Sequence, residues 1–139
     1  MRLDPVEARR RFATGRVAYL ATLRPNGTAA LVPIVFEVLG DRVVSLVDPK
    51  PKRTPELARL QHIARDPRVT LLVDHYEDDW QLLWWGRAEG FARVVDGGPE
   101  RDEALAQLLA KYPQYETLDG AFGDAVIVEV ARWTGWRAS

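Results

Sequence analysis

The stretch RVAYLATLRPNGTAALVPIVFEVLGDRVVSLV, residues 16–47, decides the fold. Val17 to Leu23 is an apolar run of strand length, closed by Arg24-Pro25-Asn26-Gly27. Asn-Gly between two apolar runs is among the strongest short-range hairpin signals. The return strand, Thr28 to Leu39, carries Pro33, which has no N–H to give to a ladder; a bulge or a sheet edge is expected there. Gly40-Asp41 turns the chain again, and Arg42 to Val47 makes a third strand. Strands joined by tight turns form a meander, not a βαβ alternation.

Ahead of this stretch, Asp4-Pro5-Val6-Glu7 reads as an N-cap with proline at the first helical position, opening a helix that stops before Gly15. Behind it, Thr54-Pro55-Glu56 repeats the same opening. Leu57, Leu60, Ile63 and Ala64 then share one helical face up to Asp66-Pro67. Arg68 to Asp74 is a fourth strand, and Trp80 to Val95 one long strand whose Gly86, Ala88, Gly90 and Ala92 lie on a single face. Small residues in that pattern fit a bend or a close backbone approach. Gly97-Gly98-Pro99-Glu100 opens a helix to Tyr112, and Ala125 to Val130 is the last strand. With no repeat and no linker, residues 1–139 are expected to form a single domain. The fold class is mainly β with flanking helices, a six-stranded antiparallel barrel.

Composition narrows the function. Nineteen Lys and Arg against 20 Asp and Glu give a net charge of −1, which argues against bulk electrostatic binding of nucleic acid. No cysteine is present, so disulfides, thiolate nucleophiles and Cys-based metal sites are excluded. No apolar run is long enough to span a membrane, and the first residues lack a signal-peptide core. A soluble, cytoplasmic protein is the expectation.

Only three of the basic residues are lysines, and Lys50 and Lys52 stand beside Arg53. Cations next to a capped helix N-terminus make an anion site through both charge and helix dipole. Arg53 can grip a phosphate bidentately, and Pro49, Pro51 and Pro55 stiffen the segment. The competing reading is a solvated loop. Trp80 and Trp84 would share one face of the long strand and Trp85 the other, so both faces would be covered; Trp80 and Trp136 are candidate ligand contacts. The loop Asp74-His75-Tyr76-Glu77-Asp78-Asp79 matches no metal-ligand spacing. Two distant histidines and no G-x-S-x-G leave a nucleophile–base triad without support, and no catalytic side chain is assigned. Any reactive group would belong to a cofactor.

These segments together resemble a known family. Arg16 to Thr22 with Asn26-Gly27, Lys52 to Leu57, Asp66-Pro67-Arg68-Val69, and VDHYEDDWQLLWW at 73–85 are similar in order and spacing to the pyridoxamine 5′-phosphate oxidase-like split-barrel proteins. The stretch at 73–85 in particular looks like the branch of small actinobacterial oxidoreductases that use coenzyme F420. The resemblance implies a split barrel and a homodimer with cofactor sites at the subunit interface, taking a small-molecule substrate. It implies F420 as cofactor, with FMN as the alternative, and hydride transfer to a small organic acceptor; a non-catalytic carrier is the reading from another class. Lys50, Lys52, Arg53 and Thr54 would hold the cofactor phosphate. Val32, Pro33 and Ile34 would lie under the ring with Ser45 on the neighbouring strand, and Trp80 and Trp136 would reach in from the partner. The chain departs from the family in two places. Val32 to Ile34 are apolar where polar residues are common, which leaves ring hydrogen bonds to the backbone. The Arg/His substrate motif is absent before Arg137-Ala138-Ser139, which implies a substrate other than pyridoxamine phosphate.

Overall fold

The computed structural model describes residues 1–48, 55–118 and 120–139. Helix α1 (Pro5–Ala13) is followed by β1 (Ala18–Leu23), β2 (Ala29–Ile34), β3 (Glu37–Leu39) and β4 (Arg42–Leu46). Helix α2 (Pro55–Arg65), β5 (Arg68–His75), β6 (Trp84–Val95), α3 (Pro99–Lys111) and β7 (Ala125–Arg137) complete the order. Asp4 caps α1 as expected, its carboxylate accepting the Glu7 N–H at 2.8 Å. The hairpin turns at Gly27, whose φ of 85° is open to glycine and strained for other residues.

All seven strands form one antiparallel sheet in the order β2-β1-β5-β6-β7-β4-β3. Its two ends, β2 and β3, are consecutive in the chain, so the sheet must curl until they meet; that curl is the split barrel. The expected second strand, Thr28 to Leu39, is thus two strands, not one. The chain leaves β2 at Val35-Phe36 to cross from one end of the sheet to the other, which raises the strand count from six to seven. The crossing is held by Tyr112 just past α3, whose hydroxyl donates to the Phe36 carbonyl at 3.0 Å and accepts the Phe36 N–H at 3.3 Å. One side chain replaces the ladder that Phe36 gave up.

Pro33 lies on an edge strand, opposite Tyr19, rather than at a bulge. The bulge falls instead between Glu89 and Gly90, where a Cβ on Gly90 would lie 2.1 Å from the Glu129 carbonyl. The small-residue face of β6 is buried, and at Gly86 a Cβ would come within 3.1 Å of the Ala8 carbonyl of α1. Inside the barrel, Phe12 meets Phe36 and Trp133 edge-on at 5.0 and 5.2 Å. A second apolar cluster lies between α3 and strands β4 and β7, built on Val44, Leu46, Leu108, Tyr115 and Ile127.

Two further expectations change. The long strand begins at Trp84, because Asp79 caps a 3-10 turn over Trp80–Leu82 by accepting the Gln81 N–H. Trp80 therefore shares no strand face with Trp84. The last strand runs to Arg137 rather than Val130, pairing with β6 along its length, so Trp133 and Trp136 are strand residues. No helix among the described residues is long and apolar enough to cross a membrane.

Candidate functional site

Where β2 ends, a cleft of about 220 Å³ opens between Val17, Pro33, Ile34 and Val35 on one side and Leu46, Asp48 and Arg59 on the other. Its floor follows from the sheet order: an edge strand has alternate N–H and C=O groups with no neighbouring strand to take them. Its far wall follows from closure, since β4 reaches β2 only because the ends of the sheet meet. Arg59 of α2 is 6% exposed, and buried guanidinium groups are held by partners. Asp48 accepts a hydrogen bond from the Tyr115 hydroxyl at 2.8 Å. Burial, together with that bond, pushes the Tyr115 phenol well above its ordinary range. Tyr112 and Tyr115 thus fasten the two sides of the cleft to the end of α3.

The expected site residues divide. Pro33 and Ile34 line the cleft; Val32 does not, because it pairs with buried Leu20 and packs on the barrel interior. Ser45 is not on the strand paired with β2. It belongs to β4, which pairs with β3 and β7, and its register partner is Val126. It is 2% exposed, and its Oγ has no hydrogen-bond partner among the described residues. Lys50, Lys52, Arg53 and Thr54 lie outside the described residues, as does the helix cap assigned to Thr54; Asp48 on the cleft wall immediately precedes that segment in sequence. Trp80 is 75% exposed beside exposed Tyr76 and Leu82. In the same loop His75 pairs with Glu77 at 2.9 Å and stacks on Trp84.

Trp136 sits elsewhere. It is opposite Trp85 on the outer face of β6 and β7, where both line a larger cleft of about 670 Å³ with Arg2, Arg87, Arg132 and Asp41. The outer face continues toward β2 through Phe91, Tyr19 and Leu31, the last 65% exposed. Arg59 escaped the sequence reading. Its one signal is position: it stands four residues before Ile63, on the buried stripe of α2.

A mainly β split barrel, with flanking helices and a cleft where the barrel closes, defines a fold shared with known cofactor-binding proteins. The family model described as pyridoxamine 5′-phosphate oxidase matches residues 5–137. The chain belongs to this family. Among solved structures it is similar to a FAD-binding protein from Mesorhizobium loti, with TM-score 0.77 and 18% identity over 100% of this chain and 98% of that one. A FAD-binding protein from Mycobacterium smegmatis matches with TM-score 0.66 and 20% identity, over 99% and 98% of the two chains. A heme-binding protein from Mycobacterium smegmatis matches with TM-score 0.74 and 23% identity, over 98% of this chain and 55% of that one. No curated protein matches the chain.

Proposed function

We propose that the protein is an F420-dependent oxidoreductase that transfers hydride from reduced deazaflavin to a small organic acceptor. The observation that carries this reading is the cleft at the end of β2. There an edge strand with Pro33 lies beside a buried arginine, and the wall residue Asp48 leads into Lys50–Thr54. These residues fit a planar ligand with an anionic end. The unpaired edge of β2 can meet polar ring atoms with backbone groups, and Arg59, Lys50, Lys52 and Arg53 match a phosphate. A bound deazaflavin supplies the hydride chemistry. The chain supplies position: the apolar walls Val17, Val35 and Leu46 exclude water, and the cations and the Thr54 hydroxyl hold the phosphate.

The site is completed by a second copy of the chain. The outer face with Leu31, Phe91 and Tyr19 exposed is apolar enough to need a cover. A partner seated there brings its own Trp80 or Trp136 toward the ring. FMN or a related flavin is the second reading, favoured by the solved neighbours named for FAD binding.

Titration of the purified protein with F420 and with FMN, followed by tryptophan fluorescence, tests the reading. Saturable F420 binding that is lost in Lys52→Ala/Arg53→Ala supports it. Tight FMN binding with none to F420 moves the assignment to the flavin. No saturable binding to either ligand overturns both, and binding without turnover over an acceptor panel makes the protein a carrier.

A further inference from the structure

The larger cleft on the outer face of β6 and β7 has a chemistry of its own. Three arginines and one aspartate are among its lining residues. The aspartate, Asp41, is already engaged: its Oδ1 lies 3.4 Å from both Arg9 and the Trp133 indole N–H. Arg87 is fixed in place, its Nε bonded to the Thr134 hydroxyl at 3.1 Å and lying 3.3 Å from Glu89, its guanidinium 5.0 Å from the Trp85 ring centroid. Both polar contacts are made by Nε, which leaves the two terminal nitrogens without a partner among the described residues. Arg2 and Arg132, both exposed, have no ion pair among the described residues.

The backbone adds to this. β4 covers β7 only as far as Glu129, and the N-terminal segment resumes at Gly135, whose carbonyl accepts the Leu3 N–H at 3.0 Å. Ala131 to Thr134 between them have no strand beside them on that edge among the described residues. The cleft therefore combines two indoles, Trp85 and Trp136, with a surplus of positive charge and a short open backbone edge. Guanidinium groups match carboxylates in pairs, and indoles offer flat apolar area to a ring.

From this arrangement we infer that the cleft binds a small planar organic anion, an aromatic or conjugated carboxylate. Its carboxylate lies against Arg2 and Arg132, and its ring against Trp85 and Trp136. The cleft of β2 contributes no residue to it, but Trp136 and the outer face are shared with the subunit contact of the proposed function, so the inference concerns a cleft that the partner leaves open.

The test is titration of the purified protein with salicylate and with uncharged salicylamide, read by tryptophan fluorescence and by calorimetry. Salicylate should bind saturably, and salicylamide at least about tenfold more weakly, since a charge-assisted pair is lost. Arg2→Ala/Arg132→Ala should weaken salicylate by about the same factor while thermal unfolding is unchanged. Equal affinity for the two probes, no saturable binding, or a double variant that still binds salicylate as the parent does would each overturn the inference. A double variant that shifts sedimentation while leaving salicylate affinity untouched would likewise overturn it, and would assign the cleft to subunit contact instead.

Discussion

The two faces of the sheet are built from similar residues and end in opposite states. On the inner face Trp133 is 8% exposed, edge-on to Phe12 and closed over by α1. Three residues along the same strand, on the outer face, Trp136 is only half-buried against Trp85, with Leu31 and Phe91 bare further along the sheet. The inner face is covered by α1 and α2, whereas on the outer face α3 covers only the end built from β4 and the first half of β7. A strand that is apolar on both sides carries information about two neighbours: the described residues supply both along Ala125 to Val128, and only the inner one at Trp133 to Trp136.

Phe12→Ala strikes the inner face hardest. It empties a fully buried ring that touches two aromatic neighbours, and should cost about 4 kcal/mol in urea unfolding. Tyr112→Phe removes the hydroxyl that serves both backbone groups of Phe36. With a buried donor and acceptor orphaned, the loss should be about 2 kcal/mol, and it should be accompanied by weaker cofactor binding at the adjoining cleft. Leu31→Glu on the outer face should behave in the reverse way. Chain stability should change by no more than about 0.5 kcal/mol, while sedimentation velocity should show a dimer converted to monomer. A stability loss as large as that of Tyr112→Phe would show that this face packs within its own chain.

Two pH effects are smaller. Tyr115 is held neutral by burial and by its bond to Asp48. Its contribution is complete below the unfolded tyrosine value near 10 and is lost as pH rises beyond it, so Tyr115→Phe should flatten the alkaline limb of the stability profile. Glu7, gripped by Arg10 and Arg11, has its carboxyl pulled down to about 2. Its contribution is complete above the unfolded glutamate value near 4.3 and fades as pH falls toward the folded one. Glu7→Gln should therefore remove a shallow acid transition in that window, seen by circular dichroism.

Much of this architecture is legible in the residues. The Asp4 cap, the Asn26-Gly27 turn and the small face of β6 are local patterns, and each appears where the sequence puts it. On α2, Leu60 and Ile63 turn inward as read, but Ala64 is exposed and Arg59 is buried. What escaped depends on distant partners. Nothing in Val35-Phe36 marks a strand break, because the break exists only when Tyr112 takes the Phe36 amide. The far half of β7 is interrupted by the bulge at Ala131 and by Gly135, so period-two alternation fails there; Gly86 and Leu3, far away in sequence, make the continuation possible. The 3-10 turn was within reach, since Asp79 before Trp80 is a cap signal. At the candidate site, Pro33 announced the edge, whereas Arg59 is recognisable only as a charge on a buried stripe.

The place of β7 in the sheet has a consequence for how the molecule is made. It follows the other six strands in sequence, yet it lies between β6 and β4. Until it arrives, the chain holds two fragments of sheet, β2-β1-β5-β6 and β4-β3, with no backbone bond to join them. Closure therefore waits on residues 125–137. A nascent or truncated chain lacking them presents two raw sheet edges to its surroundings, the form most in need of a chaperone.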